Sequence, residues 1–246
     1  MGQKKLIRFA EIKTFPNVLQ FPENMKGNWH QHFENNHPIT LELACGKGEY
    51  AIGLASRFPL KNFIGIDIKG NRLWVGAKKA LAIPLKNVAF LRIQIDKITD
   101  YFETGEVEEI WITFPDPQLR FSKMKKRLTH PQFLRRYHQI LKPGGLIHLK
   151  TDSPDLYYFT KEVCLMFKCE IHTDFEDLYK QQNLQEELMI KTHYENLDIA
   201  KSNRIHYLCF SLPQELAGKE MDADLKLILK EDEPGTDDCR RGLLPG

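Results

Sequence analysis

Two glycines and three carboxylates are spaced in this chain as though to hold one ligand. Gly46, Gly48 and Ala51 stand at the spacing G-x-G-x-x-A in the run L-E-L-A-C-G-K-G-E-Y-A, where an apolar strand-like stretch gives way to an amphipathic one. Glycine suits such a junction because the backbone must turn sharply and a ligand must come close to the main chain. Asp67 follows Gly46 by 21 residues and closes the next apolar run. A carboxylate there can accept hydrogen bonds from both ribose hydroxyls of an adenosine-containing cofactor. This fingerprint alone does not separate a dinucleotide from S-adenosylmethionine. Glu42, in the middle of the first strand-like run, favours the latter: an acid can meet its cationic amino-acid end but would repel a pyrophosphate. No third glycine shapes a pyrophosphate cradle at the helix start, which points the same way.

The third carboxylate is Asp116. The run I-W-I-T-F (110–114) leads directly into Pro115-Asp116-Pro117. In an open α/β sheet the ligand lies beyond the carboxyl ends of the strands, so Asp116 should face the same crevice as Gly46 and Asp67. The flanking prolines should hold it still. Arg120, Lys123, Lys125, Lys126 and Arg127 follow at once, with Phe121 among them, a composition suited to a polyanion whose base is brought to the carboxylate. Between Pro117 and Thr151 there is no Asp or Glu but nine Lys or Arg. The formal charge of +2 hides a division: from Pro213 onward nine acidic and five basic residues give −4, leaving +6 on residues 1–212.

The elements that must place these residues alternate as in β-α-β units. Strands are expected at 39–44, 62–67, 88–93, 109–114 and 145–150, with helices near 48–58, 70–82, 130–141 and 154–167. Lys142-Pro143-Gly144-Gly145 reads as a stop and turn. After residue 168 two further strand-like runs, 168–175 and 204–212, have no helix to close another unit and suggest an antiparallel pair. The expected organisation is a basic, aromatic arm over 1–35 with no sheet element, an α/β domain over 36–212 and a loose acidic tail over 213–246. The five cysteines show no C-x-x-C spacing, so neither a metal site nor a disulfide framework is expected. No run of about 18 apolar residues and no signal-peptide core occur, which leads us to expect a cytoplasmic protein with no membrane span. A monomer or homodimer is expected.

Taken together, these motifs resemble the bacterial tRNA (guanine-N7)-methyltransferase family. The similar features run from R-F-A-E-I-K-T-F-P-N-V (8–18) through L-E-L-A-C-G-K-G-E, F-I-G-I-D-I-K, F-P-D-P, K-K-R-L-T-H-P-Q-F-L, L-K-P-G-G and L-K-T-D to T-H-Y-E (192–195), about 200 residues in the family's order. The resemblance implies a Rossmann-like class I methyltransferase, a mostly parallel α/β sheet flanked by helices with a C-terminal antiparallel strand pair. It implies S-adenosyl-L-methionine as cofactor and tRNA as partner, with methylation at N7 of a variable-loop guanosine. By position it assigns cofactor contacts to Glu42, Gly46, Gly48, Asp67, Gln94 and Asp116, the last also catalytic. It assigns tRNA contacts to Arg120, Lys123, Lys125, Lys126, Asp152, Thr192 and Glu195. Two departures stand out. Gln118-Leu119-Arg120 replaces the family's usual Trp-Pro-Lys, keeping the charge but losing an aromatic. Gln94, with Asp96 two residues on, stands where an Asp is common. The competing readings are another base methyltransferase, an NAD-dependent oxidoreductase on a similar sheet, and a non-catalytic RNA-binding module.

Overall fold

Runs of β-branched and aromatic residues with both faces buried form the middle of the sheet, as parallel strands covered by helices require. The computed structural model describes residues 2–83, 85–193, 195–197 and 204–225. In chain order the main elements are α1 (Gly2–Glu11), β1 (Val18–Gln20), α2 (Trp29–Phe33), β2 (Ile39–Leu43), α3 (Glu49–Arg57), β3 (Asn62–Ile66), α4 (Gly70–Ala82), β4 (Val88–Arg92), β5 (Val107–Thr113), α5 (Pro131–Ile140), β6 (Leu141–Thr151), α6 (Pro154–Met166), β7 (Glu170–Phe175) and β8 (His206–Ser211). The eight strands make one sheet in the order β1-β4-β3-β2-β5-β6-β8-β7. Pairing is parallel from β1 to β6, whereas β8 runs antiparallel to both β6 and β7. Every strand and helix expected from residue 39 onward is present, including the antiparallel pair.

One expectation is corrected. The first 35 residues do contribute to the sheet: Val18–Gln20 pairs in parallel with β4, Leu19 opposite Leu91. Three residues between two prolines are too short to show an alternating pattern, and the strand is specified by the edge it covers. Asn17 fixes it there, its carbonyl accepting from Phe90 N at 2.8 Å and its Nδ2 donating to Ala77 O at 3.1 Å. The arm ahead of it is tied to α4, where Glu11 accepts from Trp74 Nε1 at 3.0 Å and pairs with Lys78 at 2.9 Å.

The expected turn after α5 is a bulge at the start of β6. Leu141 pairs with Val107 and Leu146 with Glu109, so β6 advances five residues while β5 advances two, and Gly144 takes up the excess at φ +75°. Two units are distinguished, Met1–Leu216 and Ala217–Gly246. Residues 221–225 of the second are helical, and the rest of the expected loose tail, 226–246, lies outside the described residues.

Candidate active site

The order of strands reverses at β2, whose neighbours β3 and β5 lead off in opposite directions. Such a switch point leaves a crevice at the carboxyl ends of the strands. There the chain leaves β2 through Ala44, Gly46 and Gly48, with φ of +55°, +56° and +62°. Gly48 is required twice over, since a Cβ on it would also lie 2.2 Å from the Phe90 ring. Gly76 was not foreseen. A Cβ at that point of α4 would meet Lys47 O at 2.1 Å, so its absence lets the helix lie against the turn. The only signal in the sequence is an isolated glycine inside a helical run. Asp67 fastens the turn from β3: its Oδ2 accepts from Gly46 N at 2.9 Å and its Oδ1 from Lys69 N at 2.8 Å.

Glu42 lies under the turn, 3% exposed, and does not line the crevice. One carboxyl oxygen accepts from Ala51 N at 2.8 Å and the other from Thr113 Oγ1 at 3.0 Å. Ala51 is in the first turn of α3, where backbone N–H groups have no helical partner, so Glu42 caps that helix from the neighbouring strand. Burial pushes its carboxyl up to about 8, against the opposing pull of the Ala51 and Thr113 hydrogen bonds.

Beyond the strand ends opens a cavity of about 990 Å³. Asp67, Gln94, Asp96, Asp116, Asp152 and Lys126 all line it, so most of the expected carboxylates do converge. Ile68, Ile93 and Ile95 add apolar wall beside Asp67 and Gln94. Asp116 stands on a strained loop, with Phe114 at φ +47° and Gln118 at φ +49°. Non-glycine residues in this region cost roughly 1–2 kcal/mol each and gather at functional sites. Three restraints hold the strain in place. Phe114 N donates to Lys150 O at 2.8 Å, Gln118 N donates to Asp116 Oδ1 at 3.0 Å, and Arg127 Nε donates to Pro117 O at 3.1 Å. Arg127 is itself buried, its guanidinium 4.5 Å from the centre of the Phe159 ring. Its loop-holding role was missed because in sequence it is one cation among several. Arg120, Lys123 and Lys125 are exposed on the segment between, with Lys126 at the cavity edge.

Thr192 and Glu195 are elsewhere. Both are buried, 5% and 9% exposed, and neither lines the cavity. Glu195 accepts from Lys150 Nζ at 3.1 Å and from the Tyr179 hydroxyl, while its own N–H donates to Thr192 Oγ1 at 3.2 Å. Lys150 is fully buried and also donates to Leu188 O and Ile190 O, each at 3.0 Å. It thereby fastens Leu188, Ile190 and Glu195 to β6, which ends one residue before Asp152. The Tyr194 position of the T-H-Y-E motif lies outside the described residues.

A glycine turn at the switch point, an acid at the end of the neighbouring strand and an acid on a proline-fixed loop across one cavity define a class I S-adenosylmethionine-dependent methyltransferase. The solved 16S rRNA methyltransferase KamB shares this fold, with a TM-score of 0.58 over 78% of this chain and 96% of that one at 15% identity. A family model described as "Putative methyltransferase" matches residues 36–208. The chain is 45% identical over 236 residues to the Bacteroides thetaiotaomicron protein named tRNA (guanine-N(7)-)-methyltransferase, covering 92% of this chain and 93% of that one. A Porphyromonas gingivalis protein of the same name is 47% identical over 213 residues, 82% of this chain and 86% of its own. The chain belongs to the tRNA (guanine-N(7)-)-methyltransferase family, which sets aside the oxidoreductase alternative.

Proposed function

We propose that this protein transfers a methyl group from S-adenosylmethionine to N7 of a guanosine in the variable loop of tRNA, in the cytoplasm. The observation that carries the reading is the cavity itself, where Asp67 and Asp116 share one space that Lys126 also lines, with Arg120, Lys123 and Lys125 exposed on the same segment. The residues present suit the methyl donor: Asp67 for the ribose hydroxyls, the Gln94 amide for an adenine edge, and the isoleucines for the ring faces. When bound, that donor supplies an electrophilic methyl on a sulfonium. Guanine N7 has a lone pair and no proton, so the protein needs no general base to create the nucleophile. Its task is to hold the base in line and to stabilise the positive charge that grows on it. Asp116 serves the second need, since a carboxylate fixed in advance acts on developing charge without reorganising. Positioning supplies most of the remainder, about 7–11 kcal/mol for well-aligned partners.

Arg120, Lys123, Lys125 and Lys126 take the phosphates, and Asp152, which also lines the cavity, touches the tRNA. Thr192 and Glu195, being buried, act from behind by way of Lys150. No helix among the described residues is long and apolar enough to cross a membrane, and the protein works as a monomer or homodimer. Incubating it with unmodified bulk tRNA and a labelled methyl donor, then mapping the labelled base, tests the reading. Label on N7 of a variable-loop guanosine is expected. Label on an exocyclic amine, or none, refutes it.

A further inference from the structure

Among the described residues, two large apolar side chains are both exposed and on the cavity wall: Ile68, beside Asp67, and Leu119, three residues past Asp116. An exposed leucine is unremarkable on its own. The backbone that presents this one is not. Leu119 is 62% exposed, yet the residue before it is held at φ +49° with its N–H on Asp116 Oδ1. The carbonyls of Pro117 and Gln118 lie on the buried Arg127 guanidinium at 3.1 and 3.4 Å. On the other side Lys123 N donates to Arg120 O at 2.8 Å. Leu119 is thus held at the cavity edge between two pinned points.

We infer that Leu119 is the side chain on which one face of the target purine rests while Asp116 faces its ring. This rests on the proposed function. A base that undergoes chemistry must first leave its stack, which costs a few kcal/mol. A surface that recovers part of that cost must be apolar and already in place, because ordering it on binding would consume the gain. Leu119 meets both conditions. The other side chains of the loop are less suited: Lys126 is a hydrated cation, Phe114 and Pro117 line the cavity but are half-buried, and Phe121 does not line it. Ile68, next to the ribose-binding acid, is placed to do the same for the adenine ring of the donor.

The test compares the full-length protein with Leu119→Ser and Leu119→Phe, using a tRNA transcript and S-adenosylmethionine. Leu119→Ser should lower kcat/KM for tRNA about tenfold, within the range for losing one base-stacking side chain. It should leave the KM for S-adenosylmethionine, the unfolding temperature and the salt dependence of tRNA binding unchanged. Leu119→Phe should keep or raise kcat/KM. Parental kcat/KM in the serine variant, or a loss accompanied by a flatter salt dependence, overturns the inference. Absence of tRNA methylation by the parental protein overturns the proposed function, and this inference with it.

Discussion

Asp116 and Glu42 show how differently two acids can be used, one on the cavity wall and one buried beneath the glycine turn. Asp116 is exposed to the cavity, one oxygen accepting from Gln118 N. Asparagine can keep that hydrogen bond while removing the charge, so Asp116→Asn is a cleaner variant than alanine. Its turnover should fall by roughly 10² or more, the scale of a lost preorganised electrostatic contact, with the unfolding temperature unchanged. Steady-state kinetics with a thermal melt checks this. Glu42 is a buried cap whose carboxyl is raised to about 8, chiefly by burial. A raised carboxyl means the folded state binds the proton more tightly than the unfolded chain. Its stabilising contribution is therefore full below about pH 4.5 and is lost as the pH rises through 8. In Glu42→Gln the amide oxygen can accept from Ala51 N and the NH₂ can donate to Thr113 Oγ1. That variant should fold normally and lose the part of the pH dependence between 4.5 and 8, as read by melting curves over that range.

At the scale of elements, the side chains of the segment between β5 and α5 divide the work. The loop carries Arg120, Lys123, Lys125 and Lys126 outward, while Met124 and Arg127 turn inward to hold it. Under the proposed function these exposed cations contact phosphates, which bind by counterion release. Replacing Lys123, Lys125 and Lys126 together by Gln should weaken tRNA binding and flatten the log-log salt slope by about 0.7–0.9 per lost contact. Affinity for S-adenosylmethionine should not move. A parental slope in the triple variant would mean that these cations are a solvated face and nothing more. The basic loop and the Pro-Asp-Pro corner were legible in the sequence, because charge and proline keep their meaning in any fold. What Arg127 and Lys150 do was not: in sequence Arg127 is one cation among several and only its burial against Phe159 sets it apart, while Lys150 acts through Glu195, 45 residues away.

At the scale of the molecule, one largely buried ion pair joins the adjacent strands β5 and β6. Glu109 Oε1 lies 2.9 Å from His148 Nε2, with Lys61 and Thr40 on its other oxygen and Tyr207 on His148 Nδ1 at 2.8 Å. The Trp111 indole stacks on His148 at 4.0 Å. Burial opposes the charge on His148, but Cys209 and Glu109 outweigh it and carry its pKa up to about 9. Burial likewise opposes ionisation of Glu109, and His148 and then Lys61 hold it down at about 2. His148 contributes fully below about pH 6.5 and loses its contribution as the pH rises through 9. Glu109 contributes fully above about 4.5 and loses its contribution as the pH falls through 2. The unfolding temperature should therefore decline from pH 6.5 toward 10, and His148→Gln should flatten that decline. A parental curve that is level over this range would show that the pair does not hold the sheet.

Local chemistry decided much of this protein before any tertiary contact formed. Alternating apolar runs set the strands and helices from residue 39 onward, and Gly46, Gly48, Asp67 and Asp116 were legible because turn geometry and strand-end position are encoded within a few residues. Tertiary structure alone decided that Val18–Gln20 becomes an edge strand, that Glu42 caps α3 rather than facing the cavity, and that Thr192 and Glu195 close on Lys150. Each of those outcomes depends on which distant group satisfies a buried polar atom or an open sheet edge. The deciding partners are Phe90 at the sheet edge, Thr113 on Glu42 and Lys150 on Glu195, chosen by the packing of the whole chain and far from these residues in sequence.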